Sequence, residues 1–121
     1  MDNEIMTEDA AFEREEEIAQ ESADVYKHEF KKPFEYDGNK YSVLVFDWGS
    51  LTGKDGLDIE TELTAIGKAA FVPAFNGEYL IRMASKACTD PIGSDAFENM
   101  SLSDFTKITR EARNFILRSE R

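Results

Sequence analysis

An α+β fold, a two-stranded antiparallel hairpin followed by about three packed helices, is expected of this sequence from three observations. An Asp-Gly pair sits at the centre of an alternating stretch from Val25 to Trp48. Three later stretches repeat apolar residues every three or four positions. The first 24 residues carry a charge unlike that of the rest. Together these predict an acidic leader over 1–24 and one α+β domain over 25–121, a size suited to a single modest core. Within it the hairpin occupies 25–48 and the helices lie near 57–71, 77–88 and 102–118.

The leader holds ten acids and one base, net −9, whereas residues 25–121 are net −2. Ala11, Ile18 and Val25 recur every seven residues, and Thr7 followed by Glu8 and Asp9 resembles a helix start with acids at the positive end of the dipole. A conditional helix and a solvated acidic tail that only adds solubility are both consistent with that pattern.

In the hairpin, Asp37-Gly38 tolerates the positive φ of a tight two-residue turn. Counting outward predicts Glu35 facing Lys40, Phe34 facing Tyr41, Phe30 facing Val45 and His28 facing Asp47. One face then collects Tyr26, His28, Phe30, Phe34, Tyr41, Val43 and Val45. The other carries Lys27, Glu29 and Lys31 on the first strand but Leu44, Phe46 and Trp48 on the second, so the second strand is apolar on both sides. A lone hairpin is marginal in water, so each apolar face needs a cover.

Gly49–Gly56 reads as a loop. Ile59, Leu63, Ile66 and Ala70 then fall at helical spacing, with Asp55 or Asp58 as cap and Pro73 as terminator. Asn76-Gly77 restarts the chain, and Tyr79, Leu80, Met83, Ala84, Ala87 and Cys88 mark one face of a second helix. Asp90-Pro91-Ile92-Gly93 is a turn whose loop runs to about Asn99. Ser101-Leu102-Ser103-Asp104 resembles a capping box with Asp in place of Glu, followed by the stripe Leu102, Phe105, Ile108, Ala112, Phe115 and Ile116.

Charge and chemistry narrow the function. A net charge of −11 repels phosphate backbones, so nucleic acid is not an expected partner. No apolar run approaches the roughly 20 residues that span a bilayer, the acidic start is unlike a secretory signal, and one Cys fits a reducing cytoplasm. His28 is the only imidazole and reads as a cross-strand partner of Asp47. Cys88, on an apolar helix face, reads as a small hydrophobe. Gly53-Lys54-Asp55-Gly56 lacks phosphate-cradle spacing, and Asp55, Asp58 and Glu60 depart from a calcium loop. The expectation is a binding protein without catalytic residues, cofactor or metal.

The strand ending in Lys32-Pro33-Phe34, the turn Tyr36-Asp37-Gly38-Asn39-Lys40-Tyr41 and the strand Val43-Leu44-Val45-Phe46 open an ordered series of motifs. A helical middle comes next, then Met100-Ser101-Leu102-Ser103-Asp104-Phe105 and Ala112-Arg113-Asn114-Phe115-Ile116. Over roughly Lys27 to Leu117 the series resembles the tail assembly chaperones of long-tailed bacteriophages, the group that includes tail proteins E, 41 and 14. The resemblance implies a non-catalytic factor of the host cytoplasm, absent from the mature virion, that binds the tape-measure protein and the tail tube protein until assembly. The acidic leader departs from the pattern.

Leu44, Phe46 and Trp48, with Leu51 and Ile18, are therefore the expected partner-binding residues, unless the helices cover that face too. Self-association into a homo-oligomer is expected of a factor that coats a long rod through many weak copies. The alternative is a small acidic regulator that binds a basic protein by charge mimicry through the leader, in which case binding is salt-sensitive.

Overall fold

The computed structural model describes residues 24 to 120. The expected leader helix and Ile18 lie outside the described residues. Strand β1 (Val25–Tyr36) and strand β2 (Asn39–Asp47) form an antiparallel hairpin. It is followed by helices α1 (Gly53–Ala65), α2 (Gly77–Ala87) and α3 (Leu102–Ser119), the expected α+β order.

At the hairpin tip Asp37 (φ 52°) and Gly38 (φ 83°) both take the positive φ of a type I′ turn, whose twist matches the flanking strands. Tyr36 faces Asn39, Glu35 faces Lys40 and Phe34 faces Tyr41, as the turn dictates. Beyond Phe34 the expected register fails. Between Glu29 and Phe34 β1 bulges, so that Phe30, Lys31, Lys32 and Pro33 stand against Ser42 alone. Pro33 has no N–H to give a ladder, and lysines and proline are suited to an interrupted edge.

The bulge changes which side chains share a face. Instead of Phe30 facing Val45 and His28 facing Asp47, His28 faces Leu44, Tyr26 faces Phe46 and Val25 faces Asp47. The slip is three residues, and an odd slip exchanges the faces. Leu44 and Phe46 thereby join Tyr26 and His28 on one side, while Lys27 and Glu29 stand opposite Val45 and Val43 on the other.

That recombined face is the floor of the core. Leu44, Phe46 and Trp48 pack with Ile59 and Leu63 of α1, Leu80, Met83 and Ala84 of α2, and Ile108 and Ala112 of α3. The Phe46 ring stacks on Trp48 (5.4 Å between centroids) and lies tilted to Phe97 at 6.2 Å. Phe97 belongs to a 3-10 helix (Ser94–Asn99) in the stretch expected to be loop. The outer edge of β2 is partly covered too: Cys88 bridges to Phe46, and the Thr89 N–H donates to the Val45 carbonyl at 2.9 Å.

Helix α1 begins and ends earlier than expected. Its cap is Thr52 rather than Asp55 or Asp58: the Asp55 N–H donates to Thr52 Oγ1 (3.3 Å), and the Thr52 N–H donates to the Asp55 carboxylate (2.8 Å). Gly53 and Gly56, which suggest a loop, lie within its first turn. The helix stops at Gly67 (φ 73°), not at Pro73. The Lys68 N–H donates to the Leu63 carbonyl (2.8 Å) and the Gly67 N–H to the Thr64 carbonyl (3.0 Å), the paired bonds of a Schellman termination. Helices α2 and α3 lie within one residue of expectation, fixed by Asn76, which accepts from the Tyr79 N–H (2.8 Å), and Ser101, which accepts from the Asp104 N–H (3.1 Å).

Candidate protein-binding surface

Leu44, Phe46 and Trp48, the first of the expected contact residues, do not form a surface. Leu44 and Phe46 are 0% exposed and Trp48 1%, because the bulge turns them under the chain's own helices. Leu51 is half-buried against the same core. Of the two expectations for that face, cover by the chain's own helices is the one observed; on β2, Val43 and Val45, opposite Glu29 and Lys27, and Tyr41 remain half-buried.

His28 is likewise repositioned. It does not pair with Asp47; at 2% exposure it joins the hairpin to α3. Nε2 lies 2.8 Å from Asp104 Oδ1, and Nδ1 lies 2.8 Å from the Tyr26 hydroxyl. An ionised carboxylate only accepts, so Nε2–H donates to Asp104; in the neutral ring Nδ1 then accepts from Tyr26. The other carboxylate oxygen of Asp104 accepts from the Ser101 hydroxyl at 2.8 Å, so the carboxylate that anchors β1 also holds the hydroxyl that caps α3. Burial, and then the nearby Glu111 carboxylate, push the Tyr26 phenol above its ordinary range, opposite to the activation a nucleophile needs. Burial also pushes the Cys88 thiol up to about 11, so it stays protonated at neutral pH. Among the described residues no group of three or more His, Cys, Asp or Glu side chains is placed to hold a metal ion.

Exposed apolar mass is concentrated elsewhere, in the segment that joins α1 to α2. Phe71 is 97% exposed and Phe75 70%, and Val72 and Ile66 are also exposed. Scattered surface leucines such as Leu57 and Leu102 are ordinary, but two phenylalanines and two branched aliphatics within ten residues are not.

This segment is held at both ends and in the middle. The Schellman glycine fixes its start and the Asn76 cap its end. Between them Pro73–Phe75 forms one 3-10 turn, in which the Phe75 N–H donates to the Val72 carbonyl (3.0 Å) and the Asn76 N–H to the Pro73 carbonyl (3.1 Å). Ala74 is buried against the body of the protein, and Arg113 of α3 donates from Nε to its carbonyl at 2.9 Å. The same guanidinium lies 5.6 Å from the centroid of the Phe75 ring.

The flanking helices are tied by charge. Arg82 on α2 reaches Glu78 (2.6 Å) and Glu62 on α1 (3.5 Å), and Lys86 also reaches Glu62 (3.2 Å). Lys68, at the root of the segment, reaches Glu78 at 3.2 Å. The bonds from Arg82 and then Lys68 hold the Glu78 carboxyl below its ordinary range.

Sequence periodicity missed this surface because Ala70 extends the helical stripe of α1 past Gly67. Gly67 is the signal that would have found it. A helix ended there leaves Phe-Val-Pro-Ala-Phe in a connection too short to bury itself. In comparisons with known proteins, no family model, no curated protein and no solved structure matched the chain. No helix among the described residues is long and apolar enough to cross a membrane.

Proposed function

We propose that this chain is a non-catalytic tail assembly chaperone of a long-tailed bacteriophage. It binds the tape-measure protein and the tail tube protein in the host cytoplasm and is absent from the finished virion. The ordered motifs from Lys27 to Leu117 support the family, and the exposure of Phe71 and Phe75 carries the binding role. Withdrawing each such side chain from water on a client is worth on the order of 1.5–3 kcal/mol before the costs of association. Ile66, Phe71, Val72 and Phe75 thus replace Leu44, Phe46 and Trp48 as client-contact residues, with the tape-measure protein as their occupant. Modest contacts of this kind gain strength when many copies line one long client, which is the reason to expect self-association.

Co-expression with the tape-measure protein encoded by the same phage tests the reading. The unaltered chain is expected to keep the tape measure in the supernatant and to co-purify with it. Phe71→Ser with Phe75→Ser is expected to weaken capture at least about tenfold while moving the thermal midpoint by no more than about 2 °C, since exposed positions contribute little to stability. Capture through apolar contacts persists at high salt. Capture that vanishes with salt and requires residues 1–24 would instead favour the acidic regulator.

A further inference from the structure

We infer that Arg113 is a positioning residue that presents Phe75 and its neighbours to the client, an inference that rests on the client-binding reading of that segment. The 3-10 turn spans only Pro73–Phe75, so its internal bonding is limited to the two backbone hydrogen bonds of a single short turn. Segments with so little internal bonding open locally unless something outside them holds the backbone. Arg113 supplies that hold from α3, 39 residues away in sequence.

Its two contacts use separate properties of the guanidinium. Nε–H satisfies the carbonyl of buried Ala74, fixing the middle of the turn to the helix. The cationic group lies within reach of the Phe75 π-cloud, restraining that ring while leaving most of it in water. Lysine retains the charge but lacks a donor at the Nε position, and methionine retains much of the apolar stem but neither charge nor donor. A client meeting a prearranged turn loses less conformational freedom than one that must order it, so Arg113 acts on affinity without touching the client.

Amide hydrogen exchange on the full chain, paired with tape-measure capture, tests this. In Arg113→Met the Phe75 and Asn76 amides are expected to exchange at least about tenfold faster, with core amides such as Leu44 and Phe46 changed by less than about threefold. Tape-measure capture is expected to weaken about tenfold in Arg113→Met and by a smaller factor in Arg113→Lys, which keeps the cation. Unchanged exchange at Phe75 and Asn76, or equal acceleration throughout the core, would overturn the inference. Capture lost in Phe71→Ser with Phe75→Ser but intact in Arg113→Met would also overturn it, while leaving the client reading standing. Capture intact in both variants would overturn both.

Discussion

Two aromatic groups in this protein have opposite fates. Phe46 and Trp48 are enclosed by three helices, whereas Phe71 and Phe75 stand in water on a clamped turn. Hydropathy alone ranks the first pair as the better interface, because β2 carries apolar residues on both sides. The contrast arises from the neighbouring stretches of chain. β2 can be covered because a three-residue slip brings its apolar residues onto the same side as Tyr26 and His28, beneath helices made later. The Phe71–Phe75 segment is bounded by a helix stop and a helix start, and its short backbone turns Ala74 inward while both phenylalanines stay in water.

The largest effect that separates the two groups is on stability. Phe46→Ser deletes a fully buried ring and buries a hydroxyl, a loss of about 4 kcal/mol or more. Against a total of roughly 5–15 kcal/mol this is a large share, and it lowers the midpoint of a thermal melt by on the order of 20 °C. Phe71→Ser should leave the same melt almost unmoved. Equal destabilisation by both substitutions would erase the contrast between core and surface.

The next effect concerns the seam that closes the hairpin onto α3. His28→Ala removes the imidazole between Asp104 and Tyr26 and is expected to destabilise by about 2–3 kcal/mol in chemical denaturation. An unchanged midpoint would mean that the packed rings alone hold β1 to the helices.

The smallest effect is on the alkaline side and reports on Cys88, beside the outer edge of β2. Its folded value of about 11 lies above the ordinary thiol value of 9.0, so the folded state keeps a proton that the unfolded chain releases. Stability from this group is therefore fully present below pH 9 and falls as pH rises from about 9 toward 11. A disulfide-exchange reagent at pH 8 should react with native Cys88 far more slowly than with the unfolded chain. Equal rates would place the thiol in water.

These effects track how information is distributed along the chain. Short-range signals are legible: Asp37-Gly38 sets the turn, and Asn76 and Ser101 set the starts of α2 and α3, because each acts on backbone groups within three residues. The α+β order rests on those signals. The bulge at Phe30–Pro33 is legible only in part: Pro33, with no N–H for the ladder, marks an interruption, but the three-residue slip is set by the burial of Leu44 and Phe46 under distant helices. His28 falls beside Asp47 in the local pattern for the same reason; its partner, Asp104, is 76 residues away. The candidate surface is hidden by one misplaced boundary, where Ala70 continues an apolar rhythm that Gly67 has already broken.

The proposal that Phe71 and Phe75 meet a client is tested most directly by a binding titration of the tape-measure protein against the unaltered chain and Phe71→Ser with Phe75→Ser. A folded double variant whose affinity has fallen at least about tenfold is the predicted result. A folded double variant that binds as tightly as the unaltered chain would contradict it.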